Sequence, residues 1–143
     1  MKNNFKFWLL LVLTSHVAFA QNDTLGWGRN SRFNRMYDLQ TVTEMKGQVT
    51  GIEEVAPMRG ASPGIHLTLR SGNENITVHL GPKWYLDKQA LKLDVNDRVT
   101  VKGSKVNFDG VPTIIAAEIT KGQTVLKLRN ENGVPAWSGR GRR

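Results

Sequence analysis

Residues Ile65–Tyr85 read IHLTLRSGNENITVHLGPKWY. Ile65, Leu67 and Leu69 alternate with His66, Thr68 and Arg70. Past Gly72-Asn73, Ile76, Val78 and Leu80 alternate with Thr77 and His79. Period-two alternation on both sides of a Gly-Asn pair predicts two strands joined by a tight turn. With Gly72 and Asn73 as the turn residues, the register follows. Leu69 then faces Ile76, Leu67 faces Val78, and His66 lies opposite His79 on the other face. Gly81-Pro82 stops the second strand and opens a short helix over Lys83–Leu91, because proline suits the first helical position.

The chain upstream divides in two. Residues 1–20 carry Lys2 and Lys6, an apolar run Phe7–Leu13 and a small-x-small ending, Ala18-Phe19-Ala20. This is the pattern of a secretory signal cleaved before Gln21. Its apolar run is shorter than the roughly 20 residues of a spanning helix, and no later stretch is long enough to span. A periplasmic or secreted protein is expected. Residues 21–40 hold Gly26-Trp27-Gly28, Arg29, Arg32 and Arg35 among Asn and Ser, without a period, and predict a flexible basic arm. Residues 138–143, SGRGRR, predict a basic tail.

Between them, residues 41–137 read as strands. Glu44–Val55 is long and broken by Gly47 and Gly51. Val49 and Ile52 cannot both point inward on a flat strand, so a glycine bulge or bend is expected there. Arg98–Phe108 has a similar phase slip at Gly103-Ser104. Asp109-Gly110 signals a type I′ hairpin, Val111–Thr120 returns, and Thr124–Arg129 is a last strand. Long glycine-bent first and fourth strands, with a helix between the third and fourth, predict an all-β chain with one short helix. They fit a small closed barrel of five to six strands. The element order over Thr41–Thr120 resembles the OB-fold. VHLGPKWYL at Val78–Leu86, VTVKGSKV at Val99–Val106 and LKLRNENGVPAWSG at Leu126–Gly139 resemble small exported bacterial proteins of OB type. The resemblance implies compartment and architecture rather than an activity, because that fold hosts nucleic-acid, sugar and protein binding alike.

Chemistry is sparse. The chain has no cysteine, which excludes disulfides, thiol nucleophiles and thiolate metal sites. Ser62, Ser71, Ser104 and Ser138 sit in turn-like contexts without a nucleophile-elbow pattern. Glu53-Glu54 and Asp94/Asp97 read as a solvated strand edge and a turn. No glycine-rich phosphate loop is present. A non-enzymatic binding or accessory module of the bacterial envelope is therefore expected, with an envelope protein or an anionic polymer as its partner.

The formal net charge is +8, of which Lys2 and Lys6 contribute two units. A basic OB-like barrel also suits single-stranded nucleic acid or another polyanion. The residues expected to serve such a ligand are Arg70, Lys102, Lys105, Lys127 and Arg129, with Trp84 and Tyr85 as stacking surfaces. Against base stacking, Trp84 and Tyr85 also suit packing at the barrel end.

Three histidines occur in the chain, and His16 lies in the leader, so His66 and His79 are the imidazoles of the exported form. Cross-strand partners have Cβ atoms about 4.5–5.5 Å apart. Two neutral imidazoles at that spacing can share Cu(II) or Zn(II), or they can simply stack as a cross-strand pair. The pair is expected on the outer face, within reach of solvent, with Met58, Glu53 or Glu54 as further ligands only if the fold brings them close.

Overall fold

The computed structural model describes residues 26–138. Residues 1–20 of the expected leader, residues 21–25 of the expected arm and residues 139–143 of the expected tail lie outside the described residues. The elements are α1 (Arg32–Met36), β1 (Val42–Val55), β2 (Gly64–Ser71), β3 (Glu74–Pro82), α2 (Lys83–Leu86), β4 (Arg98–Phe108), β5 (Val111–Lys121) and β6 (Thr124–Lys127). The fold is all-β with short helices, as the alternation predicts.

The strands form one mostly antiparallel sheet in the order β3-β2-β1-β4-β5-β6, and a further β3–β5 pairing brings its ends together. That pairing is parallel and runs from Thr77↔Thr113 to His79↔Ile115. Five strands therefore stand in a ring, with β6 added along the far end of β5. The two long strands each serve more than one neighbour. β1 pairs with β4 from Val42 to Gln48 and with β2 from Gln48 to Val55. A glycine is what lets β1 turn between them. A Cβ on Gly47 would collide with the Arg70 carbonyl and Leu69.

The bends fall close to the phase slips. On β1 the register shifts between Val49 and Gly51, leaving Thr50 as the extra residue. Val49 is buried, yet Ile52 stays 37% exposed. The bulge thus changes the strand's direction without turning both residues inward. Between β4 and β5 the shift lies at Lys102/Gly103, and the extra residue is Ala117 on the partner strand. At the β4–β5 turn Asp109 and Gly110 both have positive φ, as a type I′ turn requires.

The hairpin register is the expected one from His66↔His79 to Ser71↔Glu74. Leu67, Leu69, Ile76, Val78, Val99, Val101, Ile115 and Ile119 fill the interior.

Two expectations are corrected. The helix after Pro82 is shorter than Lys83–Leu91: it ends at Leu86. Lys88 and Gln89 donate backbone bonds three residues back, to Tyr85 and Leu86, so the last turn tightens and stops. The second correction concerns the arm. From Gly26 onward it is folded, contains the helix α1, and is anchored by Trp27 and Phe33, both buried.

Its anchorage depends on glycines in the sheet. The Trp27 ring occupies the place a Cβ on Gly64 would take, and the Trp137 ring does the same at Gly81. Gly64 and Gly81 lie at the open end of the β2–β3 hairpin, near one another in register. Trp27 Nε1 donates to the Ser62 carbonyl at 2.9 Å, and Trp137 Nε1 donates to the Trp27 carbonyl at 3.2 Å. The two terminal segments therefore clasp each other over one end of the hairpin.

Candidate functional site

The histidine pair forms where the register puts it, but its surroundings differ from the expected open face. His79 is fully buried and His66 half-buried. The Phe33 ring lies on His79 with centroids 3.4 Å apart and planes 11° apart, and Trp27 stacks at 5.5 Å. The folded arm is thus what removes His79 from solvent. His66 meets a cleft of about 250 Å³ whose lining includes Glu53, Thr68, Thr77, Phe108 and Asp109.

His79 Nδ1 and His66 Nε2 are 2.7 Å apart. At that distance one nitrogen donates a hydrogen bond to the other. Two nitrogens on one tetrahedral metal, each at about 2.0–2.1 Å, would stand about 3.3 Å apart. The pair as folded shares a hydrogen bond, and its nitrogens stand closer together than two ligands of one tetrahedral metal would. Met58 is exposed on its loop, and the described residues contain no group of three or more His, Asp or Glu able to hold a metal.

Both imidazoles are held toward the neutral form. Burial lowers the pKa of His79 well below the ordinary value, and positive potential from His66 and Arg129 adds to this. His66 is lowered by burial, while Glu53, its cross-strand neighbour on β1, acts in the opposite sense. His79 Nε2 is buried without a hydrogen-bond partner among the described residues.

The expected polyanion residues separate into three places. Arg70 lines a groove of about 480 Å³ together with Lys46 and Arg98. Gln48 organises it: β1 crosses there between its two neighbours, and Gln48 pairs with Arg70 on β2 and with Arg98 on β4. The Gln48 side chain accepts from Arg70 Nη2 at 3.3 Å. Ser71, Thr100 and Thr120 complete a polar wall, and among the described residues no carboxylate or aromatic side chain lines it. Lys46 and Arg98 were not singled out by the sequence. Their convergence with Arg70 is a property of the pairing of β1, which neither strand reveals alone.

Lys102, Lys127 and Arg129 line a second pocket of about 620 Å³, with Glu118 and Glu131 also on its wall. Glu118 is the register partner of Lys102 on one side and Lys127 on the other. Arg129 was expected to face a polyanion from the end of the strand Thr124–Arg129. It is instead only 5% exposed, beyond the end of β6. Burial drops its pKa to about 10. Lys105 stands apart and pairs with Glu74 at 3.1 Å.

Trp84 and Tyr85 belong to the apolar end of the ring rather than to either basic pocket. Both are half-buried. They meet edge to face, and Tyr85 leans on Trp137 at 5.5 Å. The Lys88 ammonium lies 5.8 Å from the Trp84 ring centre.

A model of the MamS/MamX magnetosome protein family matches residues 41–126. That span holds the ring, the histidine pair and the Lys46–Arg70–Arg98 groove, and it stops short of Trp27, Phe33, Arg129 and Trp137. Compared with curated proteins, the chain finds no match.

Proposed function

This chain belongs to the MamS/MamX magnetosome protein family, and we propose that it is an exported, non-enzymatic accessory module that binds an anionic polymer or surface. One observation carries the reading. Lys46, Arg70 and Arg98, on three adjacent strands, line a single polar groove on whose wall no carboxylate stands among the described residues. Cations gathered without counter-charges raise the local concentration of anions and draw them in from a distance.

The ring order supports reading the sheet as an OB-like barrel, a scaffold that presents ligands on one strand face. The groove argues for a polyanion over single-stranded nucleic acid. Base binding relies on aromatic stacking platforms, and the aromatic side chains expected for that role, Trp84 and Tyr85, pack elsewhere. Export rests on the leader-like residues 1–20. No helix among the described residues is long and apolar enough to cross a membrane.

The test is binding of the purified chain to polyphosphate and to anionic vesicles as salt is raised. Affinity for at least one of them should fall linearly on a log–log scale, because each neutralised charge releases counterions. Absence of binding to both at low salt would overturn the reading.

A further inference from the structure

We propose that one edge of the Arg129 guanidinium is a binding site for a single carboxylate group. The distribution of its donors carries the inference. Nη1 is engaged within the fold: it donates to Asn34 Oδ1 at 2.7 Å and to the Gly133 carbonyl at 2.9 Å. The guanidinium carbon sits over the rings of Tyr37 and Trp137, at 5.1 and 5.5 Å from their centres. The group is thus anchored at one end and packed against aromatic rings.

Nε and Nη2 remain. Both are buried, and neither has a hydrogen-bond partner among the described residues. Their N–H groups lie parallel on the same edge of the planar group. That edge is the fork which grips the two oxygens of a carboxylate. A guanidinium cannot escape by losing its proton at physiological pH. A buried cation with unmet donors is strongly unfavourable unless something pairs with it. Unmet buried donors of this kind point to an ion or a water that belongs there.

The surroundings select the ion. Arg129 lines the pocket of about 620 Å³ with Lys102 and Lys127, opposed by Glu118 and Glu131. Three cations against two carboxylates leave room for one negative charge. A monoanionic carboxylate balances that wall, whereas a phosphate dianion would face two glutamates with one charge in excess. Asn34 and Tyr37 come from the folded arm, and Gly133 and Trp137 come from the segment after β6. Arg129 and the groups that anchor it therefore lie outside the family-matched span of residues 41–126, while Lys102 and Glu118 of the pocket wall lie within it, and the pocket shares no lining residue with the Lys46–Arg70–Arg98 groove.

The experiment follows the Arg129 Nε–Hε resonance of the full chain by nuclear magnetic resonance during titration with propionate and, separately, inorganic phosphate. Propionate should move that signal saturably and more tightly than phosphate does. In Arg129→Lys, which cannot present two parallel N–H groups, propionate affinity should fall about tenfold or more. Replacing Lys46, Arg70 and Arg98 together by Ala should leave the titration unchanged, so that failure of the groove reading and failure of this site are distinguishable. No movement with propionate, tighter binding of phosphate, or equal affinity in Arg129→Lys would each overturn the proposal. If Arg129→Lys does not fold, the wild-type titration with the two anions decides alone.

Discussion

His79 Nδ1 lies 2.7 Å from His66 Nε2, and Phe33 closes over the His79 ring. The short contact joins a buried imidazole to one that borders solvent, so a second proton on the pair cannot be accommodated without cost. Glu53 on β1 favours a charged His66, and Arg129 beyond β6 disfavours a charged His79. Asp109, engaged by Arg32 of α1, lines the same cleft as His66.

The pH dependence follows from both histidine pKa values being lowered in the fold. The unfolded chain then binds more protons than the native one. Stability should be complete above the ordinary value of about 6.5 and fall as pH drops below it. The limiting slope is about 1.4 kcal/mol per pH unit for each histidine. Melting temperatures from pH 8 to 5 should show this fall in the wild type and a shallower one in His79→Leu. Parallel curves for the two proteins would remove the histidines from the explanation.

Trp27 and Gly64 supply the second prediction. Any side chain on Gly64 meets the indole, and forcing a methyl into packed surroundings costs about 1–3 kcal/mol. Gly64→Ala should lower the unfolding free energy by that amount, seen as a lower urea midpoint, and shift tryptophan fluorescence toward that of an exposed indole. Gly51→Ala is the control, because its added carbon makes only ordinary contacts with Thr68. Equal midpoints for the two variants would show that the indole yields without loss.

The ring interior is tested by Leu67→Ala and Ile115→Ala. Both side chains are buried in the core cluster, and such truncations cost about 2–5 kcal/mol. Denaturant unfolding should register losses in that range, and an unchanged midpoint in both would contradict the inward assignment.

What the sequence made legible was local. Alternation around Gly72-Asn73 is enough to fix the partners of His66, Leu67 and Leu69, since a one-residue slip would turn each to the wrong face. The glycine positions showed where β1 and β4 would bend. The arm escaped because Trp27 and Phe33 stand in a Gly-, Asn- and Arg-rich segment with no period of their own. Their order comes from partners far along the chain: Gly64, which leaves the slot, and His79, which lies under the ring. Arg129 was misplaced for a related reason. A basic residue at the end of a strand reads as solvated, and what covers it here, Asn34, Tyr37, Gly133 and Trp137, comes from distant parts of the chain and from the segment that follows. The groove residues Lys46 and Arg98 likewise become neighbours of Arg70 only through the double pairing of Gln48.

The groove reading makes a quantitative prediction about salt. If Lys46, Arg70 and Arg98 each neutralise one charge of a bound polyanion, each contributes about 0.7–0.9 to the slope of log affinity against log salt. Replacing any one by Ala should reduce that slope by about one unit and weaken binding at low salt. The double variant Trp84→Ala with Tyr85→Ala should leave the slope unchanged, since Trp84 packs on Tyr85 and Tyr85 on Trp137, away from the groove. Lys105, already paired with Glu74, should matter less than any of the three. Removing residues 139–143 tests the other source of positive charge, because that segment carries Arg140, Arg142 and Arg143. If the truncation abolishes the salt dependence while the groove variants keep it, the polyanion is held by the tail and the groove is ordinary solvated surface. If the groove variants flatten the slope and the truncation changes affinity without altering ligand preference, the folded ring is the binding element.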